Sequence, residues 1–281
     1  MAAPDIELIV QDLRSRGIIE NTSQVSGHMS GTTQGRVFTI TVHEQPTYIV
    51  KIDSPSSTAY DVQFLAAYEN SPLIPKLIYV GEGHSFFVYG YLAGTTHVQR
   101  GSKADWMKRL VRDLLNHYVP DRCTEGWGRL EAPASTWQQF HERSLEEARA
   151  DIGDLLSYAD YERVKSLLPV ISVGHHKCLL HGDTGVHNFV FREHRLVGVI
   201  DPCPMAGPLL YDFTYAFCSS PDDLNEETLF AVYDLLRHAP FERARLRDEV
   251  LFQLYCRIGI CVRHHPHDLP GYLQAWKSWA G

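Results

Sequence analysis

CLLHGDTGVHNFVFREHRLVGVIDPCP, residues 178–204, sets two apolar runs, Phe189 to Phe191 and Leu196 to Ile200, on either side of Glu193-His194. That is the pattern of a β-hairpin. Three side chains do not belong in an ordinary buried hairpin. Asp183 and Asn188 lie on the tight turn GDTGVHN that feeds the first arm, and Asp201 ends the second. Antiparallel pairing brings Asn188 and Asp201 near each other at one mouth, with Asp183 on the loop above them. A hard divalent cation such as Mg2+ is held by one or two carboxylate or amide oxygens, with water and substrate phosphates completing the shell. Asn188 and Asp201 suit that role. Asp183 is then left to accept a proton from an attacking hydroxyl, the division of labour of kinase-type phosphoryl transfer.

The chain around this stretch is that of a globular protein. At 281 residues with 44% hydrophobic composition it holds either one large domain or two small lobes. Its 34 acidic residues outnumber 26 basic ones for a net charge of -8, and no Lys/Arg cluster follows one face, so nucleic acid is not an expected partner. Six cysteines are scattered with no CxxC spacing, which fits a reducing, cytoplasmic setting. The N-terminus has no basic region and apolar run of signal-peptide type, and no segment approaches the roughly 20 apolar residues of a membrane span.

Periodicity divides the chain. A short helix runs from Asp5 to Arg16 and stops at Gly17. A flexible glycine-bearing loop from Ser23 leads into strands Arg36–Val42 and Tyr48–Ile52, joined at Glu44-Gln45-Pro46. Thr58 to Asp61 reads as a capping box that opens a helix ending near Asn70, followed by strands Lys76–Val80 and Ser85–Tyr89. A hinge is expected over Gly90–Gly94. Beyond it, helices are expected from Ser102 to His117, from Ser135 or Thr136 to Ala150, from Tyr161 to Leu168, from Asn225 to Arg237, and finally from Arg243 to Arg263. The expected class is α+β: a small antiparallel-sheet, nucleotide-binding lobe with one helix over residues 1–90, then a larger, mainly helical catalytic and substrate-binding lobe over residues 91–281.

His181-Gly182-Asp183 followed by Asn188, then Val199-Ile200-Asp201, Gly207-Pro208 and Tyr211-Asp212, resembles the signature of the aminoglycoside phosphotransferases, relatives of choline kinases and eukaryotic protein kinases. The D-x-x-x-x-N spacing agrees with the kinase catalytic loop, and the resemblance extends from about Ser23 to the last helix. It implies a bilobal protein-kinase-like fold. It further implies Asp183 as catalytic base, Asn188 and Asp201 as metal ligands, Asp212 as a structural acid bracing the loop, and His181 as scaffold. Lys51, ending Tyr-Ile-Val-Lys, matches the lysine that pairs with the α- and β-phosphates. Asp61 takes the place of that lysine's glutamate partner, one methylene shorter, and either pairs with Lys51 or serves only as the acid of its capping box. Ser30, Gly31, Thr32 and Thr33 fall where a phosphate-covering loop belongs, Tyr89 would gate an adenine pocket, and the backbones of Gly90 and Leu92 would bond the purine.

The function expected is an ATP- or GTP-dependent and Mg2+-dependent phosphotransferase acting on a hydroxyl of a small molecule, an aminoglycoside or other natural-product antibiotic first. The alternatives are a small-metabolite kinase of the choline, amino-alcohol or sugar type, and a non-catalytic kinase-like nucleotide-binding protein. A hydrolase would need a GxSxG or HExxH motif, and neither is present. Protein-kinase activity is disfavoured because no A-P-E motif follows Asp201. Asp222, Asp223, Glu226 and Glu227 either line a cleft for a cation or mark a solvated helix start. The histidines at 264, 265 and 267 lack the spacing of a zinc site.

Overall fold

Strand alternation over residues 36–52 sets the first half of the structure. The computed structural model describes residues 5–30, 35–173, 176–237 and 242–281. Helix α1 (Ile6–Ser15), capped by the Asp5 side chain, leads to strands β1 (Gln24–Ser30), β2 (Arg36–Val42) and β3 (Gln45–Ile52). Helix α2 (Pro55–Ala67) and strands β4 (Leu77–Val80) and β5 (Phe87–Gly90) follow. The five strands form one antiparallel sheet in the order β1-β2-β3-β5-β4. Side chains alternate across a strand. Val50 and Ile52 therefore join the cluster that α1 fills with Ile9, Val10 and Leu13, while Ile49 packs with Phe64 and Leu65 of α2 on the other face. Lys51 shares that second face.

Three sequence expectations shift here. Residues 24–30 are a strand paired to β2, not a loop, because the interstrand ladder holds a polar segment that periodicity alone does not mark. The β2–β3 turn is His43-Glu44, both with positive φ (49° and 65°), and Pro46 lies within β3, where the register shifts between Ile40 and Thr41. Helix α2 starts at Pro55 with Ser54 as its cap, accepting from the Ser57 N–H at 3.1 Å, so Thr58 is buried inside the helix and caps nothing.

The rest is mainly helical. In chain order it comprises α3 (Lys103–Asp113), β6 (Gly128–Arg129), α4 (Trp137–Ile152), α5 (Tyr158–Ile171), β7 (Cys178–Leu180), β8 (Phe189–Arg192), β9 (Arg195–Val199), β10 (Met205–Gly207), α6 (Leu209–Cys218), α7 (Glu226–Tyr233), α8 (Arg243–His264) and α9 (Leu269–Ala280). The β8–β9 hairpin turns at Glu193-His194 as the sequence indicates, with φ of 51° and 62°. β6, β10 and β7 make a small sheet in that order, which the sequence did not indicate. Helix α7 ends before Arg237 because the Asn116 side chain bonds the Leu235 carbonyl at 3.0 Å and the Arg237 N–H at 2.9 Å, drawing the chain off the helical path. α8 is not the last helix: α9 follows it, with Pro270 in the first turn, where a missing N–H costs nothing. Among the described residues no helix is long and apolar enough to cross a membrane.

α8 is buried nearly all round from Glu249 to Gly259 and forms the axis of this region. It lies against α4 so closely that a Cβ on Gly259 would stand 2.8 Å from the Ala148 Cα. Gly259→Val is therefore expected to destabilise the protein by about 1–3 kcal/mol through overpacking against backbone. A urea midpoint equal to wild type would show that the two helices can separate at no cost.

Candidate active site

The strand alternation that places Ile49 against α2 also turns Lys51 toward it. The Lys51 Nζ donates to Asp61 Oδ2 at 2.9 Å and to Asp201 Oδ1 at 2.7 Å. Lys51 and Asp61 are buried, whereas the Asp201 side chain remains 45% exposed at the cleft. Burial by itself would lower the Lys51 pKa, but the two carboxylates outweigh it and hold the ammonium charged well above its ordinary range.

Across the cleft, the turn after β7 is fastened by Asp212 from the first turn of α6. The wholly buried Asp212 carboxylate accepts from the His181 N–H at 2.8 Å, the Gly182 N–H at 3.0 Å and the Tyr118 hydroxyl at 2.6 Å. The Thr184 hydroxyl donates to the Asp212 carbonyl at 2.7 Å. Gly182 holds φ of +78°, and a Cβ there would lie 2.0 Å from the Cys203 carbonyl oxygen, so only glycine fits. The His181 ring crosses the loop: Nε2 donates to the Ile200 carbonyl at 3.1 Å, and Nδ1 accepts from the Asp183 N–H at 3.2 Å. Burial pushes this imidazole down to about 4, leaving it a neutral crosspiece.

Asp183 projects from that turn. Its Oδ2 accepts from Asn188 Nδ2 at 3.0 Å and meets His187 Nε2 at 3.1 Å. Burial pushes Asp183 upward, but the His187 bond and charge, with the Tyr215 phenol, more than offset it and hold the carboxyl below its usual range. His187 can fold back onto Asp183 because Gly185 leaves room; a Cβ there would stand 2.3 Å from the ring. Asn188 also bonds the Asp183 carbonyl at 3.0 Å and approaches the Asp201 carbonyl at 3.4 Å through the same amide nitrogen. Asp201 leaves β9 with φ of +54°, which turns its side chain back toward Lys51.

The donor set can be matched to a metal. Among the described residues no group of three His, Cys, Asp or Glu forms a self-sufficient cage. One amide oxygen from Asn188 and one carboxylate from Asp201 instead fit a hard cation whose remaining ligands are phosphate and water. The cleft has the room: about 900 Å3, running from Lys51 and Asp61 past Asp183 and Asp201 to Phe140 and Arg143 of α4 and Gln253 and Ile260 of α8.

The model of the phosphotransferase enzyme family matches residues 25–249. The chain belongs to that family. No curated protein matches this phosphotransferase, but solved structures do. Aminoglycoside phosphotransferase APH(2'')-IIa, in a ternary complex with streptomycin and ATP, is 20% identical with a TM-score of 0.60, covering 99% of each chain. A thermostable mutant of aminoglycoside phosphotransferase APH(4)-Ia, with ADP and hygromycin B, is 16% identical with a TM-score of 0.62, covering 98% of each chain. A protein described as a fructosamine-3-kinase from Thermobifida fusca is 17% identical with a TM-score of 0.56, over 94% of this chain and 96% of that one. The likeness at these identities is one of fold, and the fold of the phosphotransferase is kinase-like and α+β.

Four residues singled out in the sequence line one cleft, Lys51, Asp61, Asp183 and Asp201, and a fifth, Asn188, is buried behind Asp183 and bonded to it. Asp61 is bonded to Lys51 and has no part in capping α2. Ser30 ends β1, paired with Arg36. Gly31, Thr32 and Thr33 fall outside the described residues. The Gly90 N–H already donates to the Lys76 carbonyl at 2.9 Å, so it is not a free purine donor. Leu92 packs over Gly198, and among the described residues its backbone groups bond no other backbone. Tyr89 is core, stacked on Phe87 at 5.6 Å. Sequence reading missed His187 and Tyr215. The one sequence signal for His187 was its position four residues after Asp183 with glycine between them.

Burial raises the Asp212 carboxyl to about 7 despite its donors. A carboxyl that binds its proton more tightly when folded adds stability that is full below the unfolded value near 4 and lost as pH rises through about 7. From pH 5 to pH 8 wild type should thus lose about 1–3 kcal/mol relative to Asp212→Asn, which does not titrate. Urea denaturation at both pH values checks this, and parallel pH slopes would refute it.

Proposed function

We propose that this phosphotransferase moves the γ-phosphate of ATP to a hydroxyl of a small molecule, with Mg2+ as its metal. The observation that carries the reading is the Lys51 ammonium tied to Asp61 and Asp201 in the cleft that Asp183 also lines, with Asn188 bonded to Asp183. ATP is preferred over GTP because the solved relatives hold adenine nucleotides. In this assignment Lys51 binds the α- and β-phosphates, the segment Ser30-Gly31-Thr32 covers them, and the Leu92 backbone meets the adenine. Asn188 and Asp201 would hold Mg2+, which supplies neutralisation of phosphate charge when bound. Asp183 orients the acceptor hydroxyl and takes its proton, and His187 holds the Asp183 carboxylate in place. The nucleotide-binding lobe comprises residues 1–90 and the catalytic, acceptor-binding lobe residues 91–281.

Aminoglycosides, or other natural-product antibiotics, are the first class of acceptor to test, on the strength of the named relatives. One observation favours a small-metabolite acceptor instead. Of the four acidic residues beyond α6 that would greet a polycation, two are already paired, Asp222 with Arg100 and Glu226 with Arg247.

Mg2+ with ATP should raise the melting temperature of the protein, since a ligand bound only by the folded state stabilises it. Asp183→Ala should keep that rise while transfer to any accepted hydroxyl compound falls about 10²–10⁴-fold. Asp201→Ala should lose the metal-dependent part of the rise. Absence of any shift with millimolar Mg-ATP would sink the kinase reading, and wild-type turnover in Asp183→Ala would sink the base assignment alone.

A further inference from the structure

His187 lines two cavities. Asp183 lines the large cleft only; on the other side of the imidazole a pocket of about 370 Å3 opens between residues 97–100, the turn that carries Val186 and His187, and the α8–α9 junction. Its back wall is Arg257, only 4% exposed. The Arg257 Nε donates to the Tyr272 hydroxyl at 3.1 Å and Nη2 to the Ser219 carbonyl at 3.2 Å, both neutral acceptors. Among the described residues Arg257 forms no ion pair, and its Nη1 has no hydrogen-bond partner. A buried guanidinium with no anion is costly and is retained where an anion arrives to meet it.

Arg100 stands at the rim, paired outward with Asp222, and the His97 and His265 rings flank His187 with centroids 6.1 and 6.4 Å away. The one carboxylate on the wall, Asp268, lies 3.5 Å from His267. Burial lowers both His97 and His265, Arg257 and His187 lower them further, and Asp268 opposes the change.

We propose that this pocket binds an anionic group, a carboxylate or phosphate, carried by the acceptor of the phosphotransfer. The proposal rests on the phosphotransferase reading above and narrows it. An anion held by Arg257 and Arg100 lies one imidazole away from Asp183, since His187 reaches that carboxylate at 3.1 Å. A short hydroxycarboxylic acid or a phosphorylated polyol spans that separation, whereas a polycation would meet like charge.

The test starts with the full chain and inorganic phosphate. Imidazole resonances of His97 and His265 are followed by NMR, with the exposed His43 and His84 as controls. A saturable shift confined to the first pair is expected. It should weaken about tenfold in Arg100→Ala and vanish in Arg257→Gln, with melting curves confirming that both variants fold. No saturable shift in wild type, or an undiminished one in both variants, overturns the pocket. ATP consumption is then measured with hydroxy acids and phosphorylated sugars against their uncharged counterparts and aminoglycosides. Turnover of the charged set with KM raised about tenfold in Arg100→Ala assigns the anion to the acceptor. Turnover of uncharged or cationic compounds that Arg100→Ala leaves unchanged overturns that assignment and makes free phosphate the ligand. If no compound drives ATP consumption, the phosphotransferase reading fails, and the phosphate titration still decides whether the pocket takes an anion.

Discussion

The Lys51 ammonium, shared between Asp61 and Asp201, is the constraint on which the arrangement of the cleft depends. It is a polar link between the sheet and the end of the hairpin, and it joins residues 150 positions apart. A charge taken out of water needs an opposite charge beside it, and Asp61 at 2.9 Å provides one in equally buried surroundings. The aspartate is a methylene shorter than glutamate, yet contact is direct, because β3 and α2 pack their apolar neighbours Ile49, Phe64 and Leu65 into one cluster. Packing thus sets the distance that the ion pair uses. Asp201, half in solvent, is the partner that can exchange the ammonium for another ligand.

A second buried carboxylate does comparable work on the opposite wall. Asp212 gathers two successive backbone N–H groups and a phenol, so the turn that presents Asp183 has no unsatisfied donors at His181 and Gly182. The neutral His181 ring then links the turn to the end of β9. Asp183 with Asn188 on one side and Asp201 on the other are therefore referenced to the same crosspiece.

The sequence was most informative where chemistry and local rules coincide. The β8–β9 hairpin announced itself through apolar runs flanking Glu193-His194, and the cleft residues through their spacing along it. Elements set by tertiary contact were not legible. β6, β7 and β10 are two or three residues long, too short to show alternation, and exist because β10 finds a partner on each side. Helix α6 is buried or half-buried on every face, its polar Asp212 and Thr214 included, so no solvent side marks it in the sequence. At α2 the Thr58 to Asp61 pattern predicts a cap, whereas Ser54-Pro55 is the cap and first-turn pair. His187 was hidden for another reason: its contact with Asp183 depends on the space left at Gly185.

Helix α8 presents different residues to different places. Gln253, Cys256 and Ile260 face the large cleft, while Arg257, on another side of the same helix, backs the smaller pocket. Its contact with α4 is set by glycine against backbone, which locks the rotation of the helix about its own axis. The side chains that line both cavities are thereby carried on one rigid rod. A substitution on one face of it leaves the lining supplied by the other in place.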